Sequence, residues 1–200
     1  MICLLLAAVI LYFVDPFGLD LKVYRLGGQV FSSDPSGLYA PMLGPEGDPG
    51  LPFTYPPFAA LLFVPLGALP FTAGMLANTL LSLAAAFAVA WDFTPRVRKF
   101  LPASVQPWVR PAGIWVLFLL LGPFRDTLAF GQINILLMAA CYFAVAKLGF
   151  SFATGVVIGL SGGIKLTPLA LGLAPLALQR WACVLGVHCS WCPRSAKGNS

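Results

Sequence analysis

Charged residues in this chain fall in short groups that separate long apolar runs. Of the 200 residues, 59% are hydrophobic and only 10% are charged, and the mean hydropathy is +0.88. Soluble domains carry roughly 25% charged residues, so this chain has too few polar side chains to cover a globule in water. The pattern therefore predicts an integral membrane protein, with lipid as its solvent.

The apolar runs predict an all-α, polytopic helix bundle with about six membrane segments. They cover residues 1–14, 57–91, 112–124, 131–146, 151–164 and 166–178. A large external loop, residues 15–56, is expected after the first helix. The net charge is +5, but the basic residues form no stripe with interleaved aromatic residues, so no nucleic-acid partner is predicted.

The run at 57–91 is long for one crossing and barely long enough for two. A single crossing, with 57–70 as a short half-buried segment at the outer surface, makes the basic segment 92–111 cytoplasmic. Two crossings, as a helical pair bent at Pro70, would put that segment outside. The positive-inside rule favours one crossing. It predicts a multi-pass protein of the cell membrane, with Lys147 and Arg180 also inside.

Three polar constellations then share the external face. They are residues 20–25 (DLKVYR) with the later GLY at 37–39 and FTYPP at 53–57, the turn FGQIN at 130–134, and GIKLTP at 163–168. Each also has an ordinary structural interpretation. Asp20 could cap a helix, Gln132 and Asn134 could bond between helices, and Lys165 could be an interfacial anchor. An ionisable residue between apolar runs is nevertheless a functional hypothesis.

In this order the motifs resemble glycosyltransferase family 87. These are actinobacterial polyprenol-phosphate-mannose-dependent alpha-(1→2)-mannosyltransferases of the GT-C superfamily. The resemblance covers about residues 15–180. Residues 1–180 are interpreted as the N-terminal part of a GT-C transmembrane domain, with 15–56 as its external catalytic loop. It implies that full-length members are about twice as long, so we expect an N-terminal half that is inactive by itself. Residues 181–200 are expected to be a disordered or aberrant tail.

The resemblance implies glycosyl transfer on the external face. The donor would be a hexose, mannose above all, on a polyprenyl phosphate, and the acceptor an envelope glycolipid or lipoglycan; membrane lipids would surround both. The family's essential carboxylate corresponds to Asp20. Transfer from a beta-linked phosphate to an alpha product inverts the anomeric centre, so one carboxylate suffices to take the acceptor's proton. A glycosidase would need two.

Further residues are candidates for binding the substrates. Lys165, Arg25 and Arg125 could stabilise the leaving phosphate. Tyr24, Tyr55, Phe53 and Trp115 could stack on sugar or line a lipid groove, and Gln132 and Asn134 complete the predicted site. No cofactor is expected.

The tail contains Cys189-x-x-Cys192 beside His188, a spacing seen in zinc and thiol-redox sites. No second ligand pair lies upstream, so no metal is predicted. Two alternatives to mannosyl transfer remain open: another GT-C enzyme with a lipid-linked pentofuranose donor, and a non-enzymatic scaffold or transporter fragment. Convergence of Asp20, Lys165 and the 131–134 turn on one cavity would favour an enzyme.

Overall fold

The computed structural model describes residues 17–40, 42–43, 50–100, 106 and 109–172. They confirm the predicted all-α fold, with one isolated bridge between Leu43 and Leu51. The helices are α1 (Leu19–Ser33), α2 (Pro57–Gly67), α3 (Phe71–Val97), α4 (Val109–Leu120), α5 (Gly122–Phe130), α6 (Asn134–Leu148) and α7 (Phe152–Ile164). Short 3-10 turns follow α1, α3 and α7, at Pro35–Tyr39, Arg98–Phe100 and Thr167–Gly172. The chain divides into two compact units, residues 1–139 and 140–200.

Helix α1 lies inside the segment that was predicted as a large external loop. Its buried residues, Leu21, Tyr24 and Gly28 among them, recur at the spacing of one helix face, so the helix is amphipathic. It ends at Asp34, whose side chain accepts a hydrogen bond from the backbone N–H of Ser36 in the following turn. Residues 19–33 of this segment therefore form a helix that packs on α2 rather than an irregular loop.

The apolar run at 57–91 is divided in two at Pro70, where both interpretations of this run placed a change. Helix α2 has 11 residues, or about 16 Å at about 1.5 Å per residue, which is too short to cross a bilayer core of about 30 Å. Helix α3 has 27 residues, or about 40 Å. Among the described helices, α3 alone is by itself long and apolar enough to cross a membrane.

The run at 112–124, predicted as one membrane segment, is bent near its end. Helices α4 and α5 meet at a bend of 74°, and together they have the length and apolarity of one broken span. The bend falls where Gly122 and Pro123 begin α5, because proline has no N–H to continue the preceding helix. Arg125 and Asp126, expected in a polar break, are instead within α5. The number of six membrane segments therefore remains a prediction.

The second unit consists of the end of α6, α7 and the turn after it. Ser151 caps α7 by accepting the backbone N–H of Thr154 at 3.3 Å. The buried Thr154 hydroxyl lies within hydrogen-bond distance of the carbonyls of Gly149 and Ala144. Cys141 is buried, as expected of a small apolar residue.

Candidate active site

Two left-handed glycines position the candidate site within the first unit. Gly18 (φ 57°) precedes α1 and Gly131 (φ 69°) follows α5, a conformation that costs glycine little and other residues much more. The Gly18 N–H donates to the Ala129 carbonyl at 2.9 Å, which joins the two turns. The joined turns bring Asp20 and Gln132 together.

The Asp20 carboxylate is held by one donor on each oxygen. The Tyr55 hydroxyl donates to Oδ1 at 2.5 Å, and Gln132 Nε2 donates to Oδ2 at 2.8 Å. Each oxygen has a second lone pair left to accept a proton. Asp20 is only half-buried. The protein therefore orients the carboxylate and leaves part of the residue exposed.

The Gln132 amide is itself fixed on both sides. Its Oε1 accepts a hydrogen bond from Asn134 Nδ2, and this directs its Nε2 towards Asp20. The backbone carbonyl of Gln132 accepts a longer bond, 3.4 Å, from the buried Asn78 of α3. Residues 131–134 therefore form a turn, as predicted, and serve to aim one amide at the carboxylate.

Aromatic rings form one wall of the site. Tyr24 stacks on Phe63 with ring centroids 4.4 Å apart and meets Tyr55 edge to face at 5.1 Å. Phe53 packs against Tyr55 at 5.7 Å, and the Tyr39 hydroxyl donates to the Tyr55 carbonyl at 2.9 Å. The structure thus groups Tyr24, Tyr55 and Phe53, all predicted site residues, around the carboxylate.

The two tyrosine hydroxyls beside Asp20 stay protonated at neutral pH. Burial, reinforced by the negative charge of Asp20, raises the pKa of Tyr24 to about 12. Burial and then the hydrogen bond to Asp20 raise the pKa of Tyr55 well above its usual range. Tyr55 is therefore a lasting hydrogen-bond donor to the carboxylate, whereas the buried Tyr24 hydroxyl has no hydrogen-bond partner among the described residues.

The predicted cationic residues have different surroundings. Arg25 Nε donates to the Leu69 carbonyl at 3.0 Å and so braces the corner between α2 and α3. Arg125 is exposed on α5, and Lys165 lies in the second unit, half-buried at the end of α7. Trp115 Nε1 donates a hydrogen bond to the Leu83 carbonyl at 3.1 Å, which joins α4 to α3. Any role of these residues towards a substrate stays a prediction.

One residue at the site was not anticipated from the sequence. Asn78 is a polar residue within the apolar run of α3, and such a residue is itself a signal of function or of helix pairing. Tyr39 belongs to the first predicted constellation, but its contact with Tyr55 depends on how the chain folds back. The described residues include no cluster of His, Cys, Asp or Glu that could hold a metal. Cys189 and Cys192 lie outside the described part of the chain.

The site is thus one oriented carboxylate, flanked by amides and aromatic rings, in a helical protein with a membrane-spanning candidate helix. Such an arrangement can accept a proton from a hydroxyl group and hold a sugar ring against aromatic faces. These features define the class as an all-helical protein with a candidate membrane-spanning helix and one oriented carboxylate.

The chain belongs to glycosyltransferase family 87, whose profile matches residues 53–190. This match overlaps residues 181–190 of the segment expected to be an aberrant tail; that expectation stays a prediction. Solved structures gave no significant match.

Named relatives support the assignment. The chain is 38% identical over 167 residues to a polyprenol-phosphate-mannose-dependent alpha-(1-2)-phosphatidylinositol pentamannoside mannosyltransferase of Mycolicibacterium smegmatis, covering 82% of the chain and 39% of the relative. It is 32% identical over 163 residues to a protein of the same name from Mycobacterium tuberculosis, covering 80% of the chain and 36% of the relative. The chain thus spans about two fifths of the length of these relatives.

Proposed function

We propose that this chain forms part of a glycosyltransferase that moves mannose from a polyprenyl-phosphate donor to a hydroxyl group of a glycolipid. The observation that carries the proposal is the Asp20 carboxylate, held by Tyr55 and Gln132 in a chain of glycosyltransferase family 87. The names of the relatives supply the sugar and the donor class. The envelope glycolipid or lipoglycan acceptor and the external face are part of the proposal.

Asp20 acts as the general base in the proposed reaction. It takes the proton of the acceptor hydroxyl as that oxygen bonds to C1 of mannose. The bond between C1 and the phosphate oxygen breaks in the same displacement, which inverts the anomeric centre. The polyprenyl phosphate leaves with the electron pair. A phosphate leaves without a protein acid, so a lone carboxylate meets the chemical need.

A cation beside the leaving phosphate would stabilise its charge. Arg25 is the candidate on the same helix as Asp20. Its Nε is engaged by the Leu69 carbonyl, and the two Nη groups form no hydrogen bond with the described residues. Lys165 and Arg125 are the further candidates from the sequence. The aromatic wall of Tyr24, Tyr55 and Phe53 would contact the sugar or the lipid.

We further propose that the 200-residue polypeptide is inactive when assayed alone. A transferase of this type must hold a polyprenyl chain and a glycolipid in separate grooves, and the relatives use a chain more than twice as long. Gln132, Asn134 and Lys165 are half-buried, and exposure to lipid would cost such polar groups up to about 3 kcal/mol each. Asp20-dependent transfer by the polypeptide alone, from mannosyl polyprenyl phosphate to a glycolipid, would refute this.

The base assignment is tested in a chimera with the remaining length of the Mycolicibacterium smegmatis relative. Asp20→Asn should lower turnover by about 10²–10⁴-fold, the usual contribution of a positioned base. Asp34→Asn is the matched control, because Asp34 is exposed at the other end of the same helix and bonds locally to Ser36. Near-normal turnover of the Asp20 variant, or an equal loss in both variants, would eliminate the assignment.

A further inference from the structure

An unassigned cavity lies at the end of α3 remote from Asp20. Its volume is about 410 Å³, and it opens between the end of α3 and the start of α4. The described residues that line it are Trp91, Thr94, Pro95, Arg98, Arg110 and Pro111. From Asn78, which bonds the Gln132 turn, to the helix end at Val97 is about 30 Å at about 1.5 Å per residue. The cavity and the carboxylate are therefore separate sites.

The charge of this cavity is positive. Two guanidinium groups, Arg98 and Arg110, belong to its lining, and no carboxylate does among the described residues. The nearby Asp92 accepts an ion pair from Arg96 at 2.6 Å, so its charge is already compensated. Two arginines beside one cavity form a typical receptor for a phosphate group, because the guanidinium fork matches phosphate oxygens.

The walls of the cavity favour a lipid over a free anion. Trp91, Pro95 and Pro111 supply apolar surface beside the arginines. Trp91 is 57% exposed at the end of the candidate spanning helix, where tryptophans of membrane proteins lie at headgroup level. Phe87, one turn back on α3, is also exposed and continues this aromatic surface into the apolar part of the helix. The acyl chains of a bound phospholipid could thus lie along this apolar surface, beside the phosphate group.

We infer that this cavity binds the phosphate headgroup of an anionic membrane phospholipid, with Arg98 and Arg110 on the phosphate and Trp91 against the glycerol region. Basic pockets between membrane helices recognise such headgroups. The inference depends only on the cavity, so its test is independent of the proposed transfer reaction at Asp20.

Binding of phosphatidylglycerol to the purified 200-residue chain in neutral detergent tests the inference. Native mass spectrometry would measure its affinity beside phosphatidylcholine with the same acyl chains and beside inorganic phosphate. We expect phosphatidylglycerol to bind at least about tenfold more tightly than phosphatidylcholine, since each arginine near an anionic headgroup contributes about 1 kcal/mol. Equal affinities of the two lipids would overturn the inference. Inorganic phosphate that displaces the lipid at equal concentration would overturn the lipid as ligand.

Charge-matched variants locate the site. Arg98→Gln with Arg110→Gln should lower phosphatidylglycerol affinity by at least about tenfold. Lys99→Gln with Lys147→Gln removes the same charge from exposed residues outside the cavity lining, leaves the Arg96–Asp92 ion pair intact, and should change the affinity by less than about threefold. Equal losses in the two pairs would show a general electrostatic effect and overturn the site.

A second measurement applies if the variant with both Arg98 and Arg110 replaced does not fold. Phosphatidylglycerol brominated near the headgroup should quench tryptophan emission of the unmodified chain, and Trp91→Phe should remove most of that quenching. Brominated phosphatidylcholine should quench less. Quenching that is the same with and without Trp91 would contradict the site, because the lipid would then lie elsewhere.

Discussion

Tyr24 and Tyr55 meet edge to face beside the same carboxylate, but their hydroxyl groups have different surroundings. Tyr55 donates to Asp20, whereas the Tyr24 hydroxyl is buried without a hydrogen bond to the described residues. An unpaired buried hydroxyl costs free energy, and a bond to a charged group gains it. Removing a single oxygen should therefore have opposite effects at the two positions.

Tyr55→Phe should lower the free energy of unfolding by about 1.5–3 kcal/mol, the range for a hydrogen bond to a charged group. Tyr24→Phe should leave it unchanged or raise it by up to about 1 kcal/mol, because it removes an unpaired polar atom. Chemical denaturation of the chain in detergent, followed by circular dichroism, measures both. Each variant is the control for the other, and similar losses would disprove the difference in bonding.

Alkaline pH should destabilise the chain through Tyr24. Its pKa is about 12 in the folded protein and 10.0 ordinarily, so the unfolded chain releases this proton first. The stability due to the raised pKa is complete below pH 10 and is lost as pH rises towards 12, by on the order of 3 kcal/mol. In Tyr24→Phe the free energy of unfolding should fall less steeply between pH 10 and 12; an unchanged slope would contradict the assignment.

At the scale of elements, the close approach of α1 to α2 decides whether Tyr55 and Asp20 can meet. A Cβ on Gly28 would lie 2.3 Å from the backbone carbonyl oxygen of Phe63 in α2, and a Cβ on Gly27 would overlap the ring of Phe53. A backbone carbonyl cannot move aside as a side chain can. The contact between these two helices therefore requires glycine at position 28.

Gly28→Ala should separate α1 from α2 and destabilise the chain by about 1–3 kcal/mol, the usual cost of overpacking. Gly113→Ala in α4 is the matched control, since a Cβ there meets nothing within 4 Å. That variant should be stabilising by roughly 0.5–1 kcal/mol from helix propensity. Thermal unfolding of the two variants checks the prediction, which fails if Gly28→Ala is as stable as the control.

The sequence predicted the elements that follow from apolar runs and prolines. Pro70 was identified as a break, and the turn at residues 131–134 was predicted because polar residues follow Gly131. Helix α1 was missed, because the acidic and turn residues around it outweighed the spacing of Leu21, Tyr24 and Gly28. The bend between α4 and α5 was missed because Gly122-Pro123 lies within a run whose mean hydropathy stays high.

The sequence suggested candidate residues for the site, whose function stays a prediction, but not the hydrogen bonds between them. Asp20 was chosen from the resemblance to glycosyltransferase family 87, and Tyr55 and Gln132 from polar motifs that stand in the order of that family. Which of them would touch depended on the joined turns at Gly18 and Gly131, whose pairing is a long-range contact. No local spacing of residues encodes a contact of that kind.

At the largest scale, helix α3 of the first unit joins the candidate site to a basic end. Asn78 and the carboxylate lie towards its beginning, and the basic residues Arg96, Arg98 and Lys99 lie at its other end. The positive-inside rule predicts that the basic end of a spanning helix is cytoplasmic. An external position of the carboxylate therefore stays a prediction.

Single cysteines introduced into a cysteine-free chain test that orientation. A membrane-impermeant maleimide applied to intact cells should label Ser36→Cys, which lies in the exposed turn after α1. The same reagent should label Lys99→Cys, exposed at the basic end, only after the cells are permeabilised. Strong labelling of position 99 in intact cells would reverse the topology.

The hydrogen bond between Asp20 and Gln132 joins residues 112 positions apart, whereas Tyr55 is only 35 positions from Asp20. During synthesis, at about 5–20 residues per second, Tyr55 emerges seconds before Gln132. A nascent chain can thus bring Tyr55 to Asp20 while α3 and α4 are still being synthesised. Gln132 follows α5, so the hydrogen bond from its amide to the carboxylate forms last. Biogenesis of the site is therefore coupled to completion of the α4–α5 bend, and a ribosome stalled before residue 132 would leave a carboxylate with only its tyrosine partner.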